Sequence, residues 1–370
     1  MEVAFIIEKF AIILVVFGIT MLIALYSTFA ERKVAAYMQD RPGPNRAGPG
    51  GLMQPLADGL KMFTKEDFIP NTPNRFLFIL GPGMFISTAL MTSAVIPWGG
   101  TLHLFGQDVV LQATDINIAI LYVFGVISIG VYGLMIGGWA SNNKYSLLGA
   151  VRASSQMISY EVAMGLSIIA VLMMTGTLSL KTMAEQQHGF LDWNHKLFNT
   201  IPYFSWNVFK QPLAFIIFLI CAFAETNRTP FDLPECESEL VGGYHTEYSS
   251  MKLGFYLFAE YINMFISSAI IATVFFGGYN YPGMDWVMSS LSSTLGNFGA
   301  NLAIFIGVGV LFAKIIFFIY FYMWVRWTVP RFRYDQLMNL GWKILIPLSI
   351  FNIVLTGGGI LCIMKYHLFG

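Results

Sequence analysis

The chain has 370 residues, with 21 basic and 21 acidic side chains and a formal net charge of zero. Residues of the AVILMFWYC set make up 56 % and charged residues 11 %, against roughly 25 % charged in an ordinary soluble protein, and mean hydropathy is +0.64. So few charges cannot cover a water-facing surface, which points to a lipid bilayer as surroundings and, with the charge balanced, excludes an electrostatic nucleic-acid binder.

A membrane-crossing helix needs about 20 mainly apolar residues. Eight stretches qualify in chain order: Phe10–Ala30, Phe76–Pro97, Ile116–Ala140, Ala153–Thr175, Tyr203–Ala224, Leu253–Phe276, Leu302–Trp324 and Trp342–Met364. Lys210 and Pro212 interrupt the fifth. The first has no small-residue cleavage site and reads as a permanent helix. The expected fold class is therefore all-α, a polytopic membrane protein forming one transmembrane domain over residues 1–370.

Basic residues set the expected orientation. Fifteen of the 21 fall in the connections after spans one, three, five and seven, and five fall on the other side. That bias predicts those connections on the cytoplasmic side and both termini outside. The outer connections, such as Trp98–Thr114 and Gly277–Ala300, are polar with little basic charge, and read as spacers.

Two inner loops carry most of the chemistry. In the first, residues 30–75, Gly43, Pro44, Gly48, Pro49, Gly50 and Gly51 break the chain. After them Leu52, Leu56, Leu60 and Phe63 share one helical face, with Asp58, Lys61 and Lys65 opposite. This predicts an amphipathic helix lying on the membrane surface. Asp58, a lone carboxylate amid basic residues, is a candidate pairing or protonation site. In the second, residues 225–252, Glu225, Asp232, Glu235, Glu237, Glu239 and Glu247 stand against Arg228 and Lys252. Crowded acids at a membrane boundary have raised affinity for protons. A solvated acidic loop is the plain alternative.

Ionisable residues within spans are expensive and usually face protein or water. Glu161 and Glu260 lie roughly 12 Å inside the inner ends of spans four and six by helix rise, and Lys314 roughly 18 Å inside span seven. With Glu225 they suggest a polar track entering from the cytoplasmic side, or a set of static ion pairs between helices. Cys221, Cys236 and Cys362 lie too far apart for a metal or disulfide framework. His245 has no second ligand at metal spacing, so no metal site is expected.

Four segments carry a resemblance: AERKVAAYMQDRPGPNRAGPGGLMQPLADGLKMF, RASSQMISYEVAMGLSII, FAETNRTPFDLPECESELVGGYHTEYSSMKLGFYLFAEYINM and WVRWTVPRFRYDQLMNLGWK. Over almost its whole length the chain resembles the quinone-proximal membrane subunit of respiratory complex I, the proton-pumping NADH:quinone oxidoreductase. The resemblance implies eight spans with both termini periplasmic, in a bacterial inner membrane. It implies a quinone, ubiquinone or menaquinone, as substrate, and other complex I subunits as partners, among them those that hold NADH, flavin and iron–sulfur clusters. It assigns Glu31 and Arg32 to a quinone tunnel with Asp58 nearby, and Arg228, Asp232, Glu235, Glu237 and Glu239 to a mobile coupling loop. Glu161, Glu225 and Glu260 would carry a proton relay, and Arg326 and Arg331 match a basic pair at the end of span seven. Cys236 stands where relatives commonly carry a small residue, and the outer segments look long for the family. A stand-alone ion antiporter and the related membrane-bound hydrogenase subunit are the rival readings.

Overall fold

The computed structural model describes residues 2–71, 74–104, 107–187, 191–197, 201–233 and 240–366. The architecture is predominantly helical. The main helices are α1 (Glu2–Met38), α2 (Gln54–Thr64), α3 (Arg75–Thr92), α4 (Ala119–Ala140), α5 (Lys144–Thr175), α6 (Pro212–Glu225), α7 (Ser250–Phe275), α8 (Met284–Leu295), α9 (Asn297–Thr328) and α10 (Ile346–Tyr366). Two short antiparallel hairpins complete it: β1 (Thr101–Leu104) with β2 (Gln107–Val110), and β3 (Leu191–Leu197) with β4 (Ile201–Phe204).

Among the described residues, seven helices are long and apolar enough to cross a membrane: Ile6–Met38, Arg75–Val95, Ala119–Ala140, Lys144–Thr175, Ser250–Phe275, Asn297–Thr328 and Tyr334–Cys362. The fifth expected span, Tyr203–Ala224, does not form one long helix. Its first residues belong to β4, a single turn follows at Asn207–Lys210, and α6 has only 14 residues. The reason is local: Pro212 lacks an amide hydrogen and fits only the first turn of a helix, where it stands. The outer connections also prove more than spacers. Trp98–Thr114 contains the β1–β2 hairpin, and Gly277–Ala300 contains α8.

Rows of large apolar side chains face outward, among them Leu14, Phe317 and Val354, while Tyr160, Tyr256, Phe85 and Phe265 fill the interior. An exterior of this kind is stable in hydrocarbon and not in water. Helices α3, α4 and α7 pack closely because α4 offers bare backbone. A methyl group on Gly137 would collide with the Tyr256 hydroxyl, and that hydroxyl donates to the Gly133 carbonyl at 3.2 Å.

The first and last crossing helices carry features that position the site. Helix α1 continues eight residues past Ala30, because ERKVAAYM contains good helix formers although its hydrophobicity has ended. It thereby holds Glu31 and Arg32 on a rigid element. Before α10 the chain forms a π-helical turn, Leu340–Leu345, beside the Tyr160 ring, and Tyr160 donates to the Leu337 carbonyl at 2.9 Å.

Candidate functional site

The Arg-rich end of the bundle concentrates charge. Glu31, only 6 % exposed, receives three donors: Arg326 Nη1 at 2.6 Å on Oε1, and Arg228 Nη1 and the Tyr261 hydroxyl, each at 2.9 Å, on Oε2. One acid thus faces two guanidinium groups from distant parts of the chain. The turn after α6 brings Arg228 there. Asn227 adopts a left-handed conformation (φ 50°), which suits asparagine at a helix end. Gln156 of α5 fastens the turn, donating to the carbonyls of Ala224 and Phe231 at 2.8 Å each.

The Arg228 guanidinium carbon lies 4.0 Å from the centre of the Tyr261 ring, a cation–π contact. Burial opposes its charge, but Tyr261, Glu31 and Glu260 outweigh that and raise its pKa, so it stays a cation. Its Nε and Nη2 groups are buried with no hydrogen-bond partner among the described residues. Such donors are costly to leave unmet. Nearby, Arg331 Nη2 donates to Asp232 Oδ2 at 2.8 Å.

A cavity of about 230 Å³ opens beside this cluster, between α1, α2 and α7. Leu25, Met62, Leu257 and Phe258 supply apolar walls. Arg32 and Asp58 supply a paired charge, Nη1 to Oδ2 at 2.7 Å, with Gln54 Nε2 donating to Asp58 Oδ1 at 3.0 Å. Tyr261 lines the cavity as well, so one side chain touches both the cavity and Glu31. Helix α2 holds Leu56, Leu60 and Phe63 of the expected apolar face, all exposed, while Leu52 precedes it. Its Asp58 side turns inward to Arg32.

A second polar group runs deeper. Glu260 precedes Tyr261 on α7, is buried, and accepts from the Tyr244 hydroxyl at 3.0 Å. One turn on, Asn263 lines two small cavities together with Glu225, Thr92 and Ile127, about 20 and about 10 Å³. Each is about the size of one water. Glu161 lies within electrostatic range of Glu225, and its carboxylate accepts from Ser128. Glu260 and Glu161 thus each accept from a neutral side chain, and Glu225 shares two small cavities with Asn263.

Lys314 is held by other groups. Its ammonium donates to the carbonyls of Phe276, Gly278 and Asn280, at 2.7 Å each. These belong to the turn that closes α7, in which Gly277 and Gly278 both take positive φ. Phe276 is 16 residues beyond Glu260, roughly 24 Å along the helix. Lys314, expected near mid-depth as a member of the polar track, has three backbone dipoles at the far helix end balancing its charge. Glu235, Glu237 and Glu239 lie outside the described residues.

The sequence reading missed Tyr261, Tyr244, Asn263 and Ser128. Tyr261 and Asn263 flank Glu260 in FAEYINM, where polar residues on an apolar helix were the available signal. Ser128 carries no such signal, since a lone serine in a crossing helix commonly bonds its own backbone, as this one also does to Phe124.

Comparison with known proteins gives the family. A family profile described as NADH dehydrogenase matches residues 10–357. Among the H subunits of NADH-quinone oxidoreductase, that of Flavobacterium johnsoniae is 70 % identical over 361 residues, covering 98 % of this chain and 97 % of the relative. That of Flavobacterium psychrophilum is 68 % identical over 366 residues, covering 99 % and 100 %. That of Thermomicrobium roseum is 48 % identical over 332 residues, 90 % of each chain. This chain belongs to the NADH dehydrogenase family, among the H subunits of NADH-quinone oxidoreductase.

Proposed function

We propose that the chain forms the membrane-side part of the quinone passage in an NADH:quinone oxidoreductase and couples quinone reduction to proton translocation. The observation that carries this reading is the cavity between α1, α2 and α7. It has apolar walls for a hydrocarbon tail, the Arg32–Asp58 pair in its lining, and Tyr261 linking it to the buried Glu31 cluster.

In this reading a quinone enters from the lipid between α1, α2 and α7 and passes on to a partner subunit. Partner subunits hold NADH, flavin and the iron–sulfur clusters. Reduction there consumes two electrons and two protons per quinone. The charge change acts first on Arg228 and the acids of its loop, Asp232, Glu235, Glu237 and Glu239. Arg326 and Arg331 hold Glu31 and Asp232 in place as α9 ends. Glu260, Glu225 and Glu161 carry the perturbation into the membrane by exchanging protons across water-sized gaps.

The same reading makes one transmembrane domain of eight crossings, with α6 as the short one. Gln211, at the start of α6, bonds Met174 of α5 and Thr356 of α10, while Gln156 of α5 bonds Ala224 at its end. Residues 156 and 174 are roughly 27 Å apart along α5, close to the roughly 30 Å of a hydrocarbon core. An even number of crossings puts both termini on one side, which the excess of basic residues in the inner connections makes the periplasmic side of a bacterial inner membrane, and α2 rests its exposed leucines on the opposite surface.

Narrowing the cavity tests the function. Gly254 of α7 lines the cavity, and in the assembled complex Gly254→Trp is expected to lower quinone reduction about tenfold, with NADH oxidation by a water-soluble acceptor unchanged. Unchanged quinone reduction in that variant removes the passage from this cavity.

A further inference from the structure

A second cavity, about 310 Å³, lies at the other end of α1, between α1, α9 and the β1–β2 hairpin. Its lining is wholly apolar and includes Ile12, Val15, Trp98, Leu111, Phe305 and Phe312. The α1 residues in it stand 12 to 20 positions before Glu31, roughly 18–30 Å along the helix. It therefore sits in the opposite half of the membrane from the charged site. Val15 and Phe305 are each more than half exposed, so the hollow opens sideways to lipid.

Water does not fill such a space: the accessible lining is apolar, the one polar atom of a lining side chain is the buried Trp98 Nε1, and a trapped water needs about two to four polar partners. Left empty, its lining would forfeit dispersion contacts. The volume falls at the lower end of small-molecule pockets, roughly 300–1,000 Å³. A crossing helix, about 10 Å across with its side chains, does not fit it.

The rim carries charge of both signs. Glu8 lies one turn beyond Ala11 and Ile12, on the same face of α1. Lys9 donates to the carbonyl of Gln112 at 3.3 Å, next to the lining residue Leu111. The Lys9 ammonium and the Glu8 carboxylate are 3.7 Å apart, and both side chains are about a quarter exposed. A paired cation and anion above an apolar hollow match a headgroup bearing a phosphate and an ammonium. They do not match an uncharged quinone ring or a purely anionic headgroup.

We propose that this hollow binds an acyl chain of a zwitterionic aminophospholipid, with the phosphate at Lys9 and the ammonium at Glu8. The site is separate from the quinone passage and holds α1 against α9 and the hairpin through a lipid.

The test uses the assembled complex in nanodiscs made with phosphatidylethanolamine carrying a diazirine in its acyl chain. After irradiation, labelled peptides are mapped by mass spectrometry. Labelling at residues 11–19 and 305–312 is expected to exceed that at the lipid-facing Ile316 and Phe317 at least fivefold. It is also expected to exceed that from phosphatidylglycerol with the same chain. Val15→Phe, at a half-exposed position, should lower the signal at least fivefold with quinone reduction retained, and Val308→Phe gives a second filling variant. Changing both Glu8→Gln and Lys9→Gln should equalise the two lipids. Labelling no stronger than at Ile316 and Phe317 overturns the proposal, as does equal labelling by both lipids in the unchanged chain. Preferential labelling by a diazirine-tailed quinone, or protection of the hollow by a neighbouring subunit, overturns it too.

Discussion

Glu31 and Lys314 are both charges held on long helices away from bulk water, and they are balanced in opposite ways. Glu31 shares its carboxylate among two guanidinium groups and a phenol. Lys314 spends its three hydrogens on three backbone carbonyls. The first arrangement is a set of side chains that can be sorted again when a charge or proton arrives beside it. The second is fixed by the turn that makes the carbonyls converge, with the Trp206 ring 5.1 Å from the ammonium. A buried charge is thus a sign of function when its partners are themselves ionic and adjoin a cavity. It is a sign of architecture when its partners are peptide dipoles.

The largest effect that can break this contrast is at Glu31. Glu31→Gln leaves Arg228 and Arg326 facing each other across a neutral amide. Removing one partner from a buried ion pair costs roughly 3–5 kcal/mol. Quinone reduction should fall more than about tenfold, and replacing Arg228 with Met in the same chain should recover part of it. A single variant with normal turnover would make the cluster a bystander.

At Lys314 a smaller effect of another kind is expected. Lys314→Met removes three charge-assisted hydrogen bonds, each worth about 1.5–3 kcal/mol before relaxation and water compensate. Thermal inactivation of the assembled complex should occur a few degrees earlier, and the number of protons moved per electron should not change. A changed ratio would return Lys314 to the relay.

The smallest effect sharpens the link between cavity and cluster. Tyr261→Phe keeps the ring under Arg228 and deletes one hydrogen bond to Glu31, worth about 1.5 kcal/mol. The KM for quinone should rise about tenfold with little loss of stability. No change would mean that the ring acts without its hydroxyl.

Seven of the eight expected spans coincide with long apolar helices, because long apolar runs dominate them. The fifth does not, since hydropathy does not register that Pro212 must begin a helix. The extension of α1 past Ala30 was hidden for a related reason: hydropathy ends there while helix propensity continues. The charged part of the site was legible through motif resemblance, which named Glu31, Arg32, Asp58 and Arg228. Charges in spans are rare enough to attract attention on their own. Neutral partners are not, so Tyr244, Asn263 and Ser128 emerged only when the helices were packed. The partners of Lys314 were hidden because backbone carbonyls leave no trace in residue identity.

The central claim is that the acids beyond the cavity act by changing protonation. The direct measurement is proton translocation per quinone reduced, in liposomes, by complexes carrying Glu161→Gln or Glu161→Asp. The amide keeps the shape and the hydrogen bond to Ser128 but cannot titrate; the shorter acid can. The account predicts that Glu161→Gln lowers coupled turnover about tenfold while Glu161→Asp keeps a good part of it, with both complexes assembled. The reverse order, with the amide tolerated and the shorter acid damaging, would contradict it, because geometry and not protonation would then be what Glu161 supplies.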